Sequence, residues 1–381
     1  MVAPKDSAAA SSYAARQDHT LLVLQGGGAL GAYQAGVYEA LSEKGFAPDW
    51  VTGVSIGAVN AALIAGNAAD SRVARLREFW ERVSSGVPLI APAALDPMRR
   101  TFNLFSASAA ATFGVPGFFH PRIPPAVLAP EGTLAALSVY DTQPLRETLH
   151  EFVDFDIVNG KGMRFSVGAV EVRTGNSKYF DNYKPETGDI KVEHVMASGA
   201  LPPGFPPVKI GSEFYWDGGL VSNSPLWYVL DETPNLEALI LQVDLFSARG
   251  KMPENLDQVL ERAKDIQYSS KTRFNTTRVK QFEDLAAALH RVLDKLPDKL
   301  KDDADVRLLA EATRRRRVSV VQLINRRFDH SSQAKDYDFS RATVRALWDA
   351  GRDAVHRTMA SPEWHRACST KQGLQTFDLA Q

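Results

Sequence analysis

A chain of 381 residues, 44% apolar and 23% charged, is long enough for one large domain or two ordinary ones and can bury a sizeable core. Its formal net charge of −1 leaves no general basic field for nucleic acid. The single cysteine, Cys368, excludes an internal disulfide framework and a cysteine-rich metal site, and its polar setting, Arg366-Ala-Cys-Ser-Thr-Lys371, argues against a thiol nucleophile.

Residues 1–19 are rich in Ala, Ser and charge, lack an apolar core, and read as a flexible tail rather than a secretory signal. Residues 20–25, Thr-Leu-Leu-Val-Leu-Gln, form an apolar run that predicts a strand buried on both faces. A glycine turn follows at Gly26-Gly27-Gly28. Ala29 to Lys44 then places Val37, Ala40 and Leu41 at helical spacing, with Gly45 as the stop. Asp49 to Val54 is a second strand, broken sharply at Ser55-Ile56-Gly57, and Ile56 to Ala65 is a helix of small residues. Strand, helix, strand, helix at this spacing predicts an α/β fold with a mostly parallel sheet. The longest apolar stretch, Ile56 to Ala69, contains Asn60 and Asn67 and falls short of the roughly 18 apolar residues of a membrane span, so the cytoplasm is the expected compartment.

Residues 84–137 are rich in Pro, Ala and Phe and poor in charge, which predicts an irregular lid or binding loop. Its stretch 102–119 suits an acyl pocket or a lipid surface, and equally core packing or a contact between two copies of the chain. Arg164 to Val172 reads as a strand that Lys178 to Phe180 can pair with. A helical turn is expected around Val195 to Ser198, and Phe214 to Trp216 as a strand ending at Asp217-Gly218-Gly219. Leu239 to Leu245 is another buried strand. The composition then shifts, from about residue 251. Asn255 to Leu296 and Ala304 to Arg317 are charged and helical in period, Val318 to Ile324 is a strand, and Ser340 to Met359 a final amphipathic helix. The organisation expected is a tail, a catalytic domain over 20–246, and an α-rich extension over 247–381. Arg314 to Arg317, with Arg326 and Arg327, reads as a solvated helix end or as a contact for anionic lipid.

A glycine turn between a strand and a helix gathers backbone amides at a positive helix end, a nest for negative oxygen. Gly26, Gly28 and Gly31 fit the dinucleotide pattern G-x-G-x-x-G, but that reading wants an acidic residue closing the second strand, and Asp49 stands at its start. An oxyanion hole made by Gly26, Gly27 and Gly28 suits the turn better. Gly53-Val54-Ser55-Ile56-Gly57 fits G-x-S-x-G, a turn that exposes a serine hydroxyl at the carboxyl edge of a sheet while the Ile56 amide adds a donor. Adjacent parallel strands would bring both turns to one edge. A serine needs a base. Of the eight histidines, His330 is the best conventional candidate, although a Ser/His/Asp enzyme of the α/β-hydrolase type carries its serine after more strands than are present here. Asp217, beside Tyr215 and Trp216, is the other candidate, because an aspartate in a partly apolar site gains basicity; by itself the same Asp-Gly is also a common hairpin turn.

The ordered set Gly26-Gly27-Gly28-x-x-Gly31, Gly53-Val-Ser55-Ile-Gly57, Ala197-Ser-Gly-Ala-Leu-Pro202, Phe205-Pro-Pro207, and Asp217-Gly218-Gly219 with Asn223 and Pro225 resembles the patatin-like phospholipases over about residues 20–246. The resemblance implies a three-layer α/β/α fold and lipid acyl hydrolysis by a Ser55–Asp217 dyad through an acyl-enzyme, with no metal or other cofactor. It implies acyl-ester substrates and contact with membrane at the surface only. A non-lipid ester such as a hydroxyalkanoate oligomer, acyl transfer to an alcohol, and a silent lipid- or partner-binding protein are the alternatives. Leu30 departs from the pattern, since many patatins carry Arg or Lys there. The segment beyond about 251 resembles the extension of a bacterial subgroup.

Overall fold

The computed structural model describes residues 19–86, 96–232, 237–270, 284–312, 317–326, 333–368 and 373–379. The expected tail over 1–18, His330, Arg314 to Arg316 and Arg327 lie outside them.

Nine strands form one sheet: β1 (His19–Leu24), β2 (Trp50–Val54), β3 (Arg164–Glu171), β4 (Ser177–Asp181), β5 (Val208–Ile210), β6 (Glu213–Asp217), β7 (Glu237–Asp244), β8 (Arg317–Ile324) and β9 (Gly373–Asp378). The spatial order is β9-β8-β7-β1-β2-β3-β6-β5, with β4 on the other side of β3. From β9 through to β3 every pairing is parallel; β4, β6 and β5 add antiparallel ones.

Alternate side chains of a strand face opposite sides, and both sides here are covered. Leu22 and Leu24 of β1, Leu239 and Leu241 of β7, and Val321 and Leu323 of β8 join one core with the helices α1 (Ala32–Glu43), α2 (Ile56–Ala65) and α3 (Arg72–Val83). Leu21 and Val23, Ala238 and Ile240, and Val318 and Val320 face the other way, onto Leu226, Val229 and Leu230 of a short helix (Leu226–Glu232). This is the three-layer α/β/α arrangement. No described helix is long and apolar enough to cross a membrane.

Two stretches differ from the sequence reading. Asp96–Phe113, expected to be irregular, is an 18-residue helix, α4. Its run of alanines and small residues propagates a helix well, and the prolines that suggested a loop lie on either side of it or, as Pro97, in its first turn, where a proline is tolerated. Cys368, placed in a polar tail, sits instead on the short helix Trp364–Cys368 at 4% exposure, and burial pushes its thiol up to about 12, so it is inert.

Beyond residue 246 the chain is α-rich, with α5 (Leu256–Tyr268), Ala304–Ala312 and α6 (Arg341–Ala360), yet it also completes the sheet through β8 and β9. The strand β9 had no counterpart in the sequence reading. Helix α6 lies against α1 at a place where glycine meets backbone. A Cβ on Gly36 would fall 1.9 Å from the Trp348 carbonyl oxygen, and one on Gly351 2.1 Å from that of Tyr33. Nearby Glu39, buried on α1, takes hydrogen bonds from Trp348 (2.7 Å), from Arg352 (2.8 Å) and from Arg77.

Candidate active site

Leu24 pairs with Gly53 across β1 and β2, so both strands end at the same edge of the sheet and their following turns lie side by side. The first turn carries Gly26, Gly27 and Gly28; Gly28 has φ +56, and a Cβ on it would meet the Asp336 carbonyl oxygen at 2.3 Å. The second turn carries Ser55 at φ 57, ψ −127, a left-handed backbone that a serine holds only under constraint. The constraint is visible. The Ser55 N–H donates to both the carbonyl and the hydroxyl oxygen of Ser198, each at 3.1 Å, and the Ser198 hydroxyl donates on to the Gly168 carbonyl at 2.6 Å. Gly53 and Gly57 let the chain fold back: a Cβ on the first would sit 2.2 Å from the Gly57 oxygen, and one on the second 2.4 Å from the Leu24 oxygen.

Strand β3 is longer than β2, and this decides where Asp217 falls. Val54 pairs with Gly168, and the next residue of β3, Ala169, pairs with Asp217. Since β4 holds the opposite side of β3 over both positions, β6 continues the line of β2 on the same side and brings Asp217 up to Ser55. Ser55 and Asp217 line one cavity, and the Asp217 carboxylate accepts the Gly219 N–H at 2.7 Å. Asp217 is 2% exposed, and burial pushes its carboxyl up to about 6 against the opposing pull of the Ser55 hydroxyl and the Gly219 N–H.

The glycine turn departs from expectation at one position. The Gly26 N–H donates to the Asn223 carbonyl at 3.1 Å, so it does not face the serine as a free donor. Gly27, Gly28 and Ile56 are different. Leu30 N–H to Gly27 oxygen is the first bond of the turn at Gly28–Gly31, and Ala58 N–H to Ser55 oxygen the first of α2, so the amides before them have no partner in their own helices. All three residues line the pocket that contains Ser55. Gly31 and Gly218 serve packing: a Cβ on Gly31 would meet the Ile56 side chain at 2.5 Å, and one on Gly218 the Gly168 carbonyl oxygen at 2.6 Å.

The pocket is a cavity of about 230 Å³ with Ser55 and Asp217 at its floor. Phe118, Phe119, Leu145, Leu201 and Phe205 form an apolar wall. The roof comes from residue 246 onward: Phe246, Tyr268, Tyr337 and Phe339, with Lys264 paired to Asp336 at 2.7 Å. Among the described residues no histidine lines the cavity. His194, which burial pushes down to about 4, accepts the Lys191 N–H at 2.8 Å and caps a helix instead.

Three residues hold this assembly together without having been assigned a part from sequence. Ser198 fixes the elbow, as described. Asn223 donates to the carbonyls of Gly26 (3.1 Å) and Tyr268 (2.9 Å). Gln25, fully buried, accepts the N–H groups of Leu245 (2.6 Å) and Phe246 (2.9 Å) and donates to the Tyr268 carbonyl at 3.1 Å. A glutamine closing an apolar strand was a readable signal, because a buried amide must find partners.

Fold and site define an α/β protein of the serine-elbow kind, with a buried aspartate in the cavity that holds the serine. A family model described as Patatin-like phospholipase matches residues 22–230, and a second, described as Patatin phospholipase, matches residues 266–371. The chain belongs to the patatin-like phospholipase family. No curated protein matches it. Among solved structures, the crystal structure of VipD from Legionella pneumophila aligns with 87% of this chain and 67% of its own, at 15% identity and a TM-score of 0.32, an overlap that carries nothing about the chemistry.

Proposed function

We propose that the chain hydrolyses carboxylic esters of lipids through a Ser55–Asp217 dyad. The observation that carries this reading is the placement, in one cavity, of a serine held in a left-handed elbow beside a buried, basic aspartate. Ser55 Oγ attacks the ester carbonyl carbon as its proton passes to Asp217. The tetrahedral oxyanion accepts hydrogen bonds from the Gly27, Gly28 and Ile56 amides. Asp217 then gives the proton to the departing alcohol oxygen, leaving an acyl group on Ser55. Water attacks that acyl group while Asp217 takes one of its protons, and the proton returns to Ser55 as the carboxylic acid leaves. The apolar wall of Phe118, Phe119, Leu145, Leu201 and Phe205 favours an acyl chain over a polar ester. Residues 98–139 leave Ile123, Val127 and Leu128 exposed, which suits peripheral contact with a lipid surface.

A fluorophosphonate probe tests the reading. It should label the protein once, at Ser55, and active protein should turn over a panel of acyl esters that Ser55→Ala does not. An adduct mapped to a different serine, or undiminished turnover by Ser55→Ala, overturns it.

A further inference from the structure

A second cavity, of about 60 Å³, lies behind the wall of the first. Consecutive residues of two segments alternate between them: Leu245 and Lys335 line the second, Phe246 and Asp336 the first. Neither Ser55 nor Asp217 lines the second cavity, so what it binds does not depend on the hydrolase reading.

Its wall is cationic. Arg99, Arg249, Lys251, Arg262, Arg326 and Lys335 face it, against Asp265 and Asp338. Two of the cations are already neutralised: Arg326 pairs with Asp378 at 2.5 Å, and Lys335 with Asp265 at 2.5 Å and Glu261 at 3.3 Å. The other four have no ion-pair partner among the described residues. Arg99 donates only to the neutral oxygens of Asn103 (3.1 Å) and Thr343 (3.2 Å). Arg262 donates to the carbonyls of Ser247 (3.1 Å) and Ala248 (2.5 Å). Of the two acids, Asp338 is occupied by the Ser340 N–H (3.1 Å) and the Thr343 hydroxyl (2.6 Å).

Two buried polar atoms in this wall also lack partners among the described residues: the Arg326 Nε and the side-chain oxygen of Asn325, a residue 8% exposed. A buried group left unpaired costs free energy unless a ligand meets it. A half-turn of the Asn325 amide exchanges its oxygen for its NH2 with little change in packing, which makes it a donor beside the arginines. One water needs roughly 10–15 Å³ of such volume, so the cavity takes a group of about four to six heavy atoms. That is the size of a tetrahedral oxyanion and too small for an acyl chain.

We infer that this cavity is a binding site for a phosphate group, held by Arg99 and Arg262 with Asn325 and approached past Arg249 and Lys251. The phosphate can belong to a small soluble ester or to a lipid headgroup, and the chemistry of capture is the same.

Calorimetric titration of the full chain with inorganic phosphate, at ionic strength held constant with sodium chloride, tests the site. Binding should be saturable at one site. It should weaken by roughly tenfold or more in Arg99→Gln/Arg262→Gln, the loss expected of a charge-assisted hydrogen bond. Arg249→Ser/Lys251→Ser, at exposed positions that the fold tolerates, should weaken it less, by roughly threefold. Glycerol phosphate bound as well as phosphate identifies a soluble ester. Sedimentation with phosphatidylcholine vesicles only when they contain phosphatidic acid, lost in Arg99→Gln/Arg262→Gln and weakened in Arg249→Ser/Lys251→Ser, identifies a headgroup. Absence of phosphate and phosphatidic acid binding alike, or binding that both double variants retain, overturns the inference.

Discussion

Ser55 and Asp217 meet because their strands share a neighbour: one follows the residue paired to Gly168, the other is paired to Ala169. The proposed dyad is thus set by sheet register, at the ends of strands, rather than by a loop that must close over substrate.

The first prediction follows from the carboxyl at about 6. Asp217 must be ionised to accept the serine proton. On a neutral ester, kcat/KM should be level above pH 7 and fall with decreasing pH through about 6, approaching tenfold per pH unit well below it. The same profile should be seen in His194→Gln. An acid limb that moves with any histidine change would transfer the role of base to that residue.

Asp217→Asn should separate activity from stability. Loss of the base costs on the order of 10²–10⁴ in rate. Stability should change in the opposite sense. The native carboxyl at about 6 lies above its ordinary 3.8, so folding favours the protonated form; that contribution is complete below about pH 4 and is lost as pH rises through 6. Asparagine is neutral throughout. The variant should therefore be the more stable at pH 8, by on the order of 3 kcal/mol less the value of lost hydrogen bonds, seen as a higher Tm, and the advantage should vanish at pH 4. A variant less stable than the parent at pH 8 would mean that the Asp217 hydrogen bonds outweigh the cost of its buried charge.

Phe118 and Phe105 should behave differently, although both belong to the phenylalanine-rich stretch. Phe118 is 7% exposed and lines the cavity, while Phe105 is 56% exposed and does not. Phe118→Leu should lower kcat/KM for long-chain p-nitrophenyl esters more than for the acetyl ester, since each methylene losing its contact forfeits up to about 0.8 kcal/mol. Phe105→Ser should leave the ratio unchanged. Equal ratios in both variants would remove the acyl chain from this wall.

Gly351→Ala should destabilise the fold, although the same change in an exposed helix stabilises it by about 1 kcal/mol. The added methyl would meet the Tyr33 carbonyl oxygen, a backbone atom that cannot step aside without moving α1, at a cost of about 1–3 kcal/mol. The urea midpoint measures it, and an unchanged or raised midpoint would contradict the close approach.

Much of this was legible in local sequence. The glycine turn, the elbow at Ser55 and the strand ending in Asp217 each announce themselves within a few residues, because tight backbone approaches demand glycine at set positions. Two kinds of feature were not. The Gly26 amide looked free, and only the return of Asn223 across nearly two hundred residues of chain occupies it. The roof at Tyr268, Tyr337 and Phe339 carries no local signal either, since lining a distant cavity imposes no periodicity. Proline-rich flanks hid α4, and the short polar β9 lacked the apolar run by which β1 and β7 declare themselves.

The order of the sheet has a consequence for synthesis. The ribosome delivers the elbow and the aspartate early, but the strand beside β7 and the cavity residues Tyr268, Tyr337 and Phe339 come from segments that emerge later. At roughly 5–20 residues per second the interval from Phe246 to Phe339 lasts several seconds, during which β7 offers an unpaired edge and the acyl cavity has no ceiling. A nascent chain, or one cut short after Asp217, therefore carries the proposed dyad without the residues that complete its cavity.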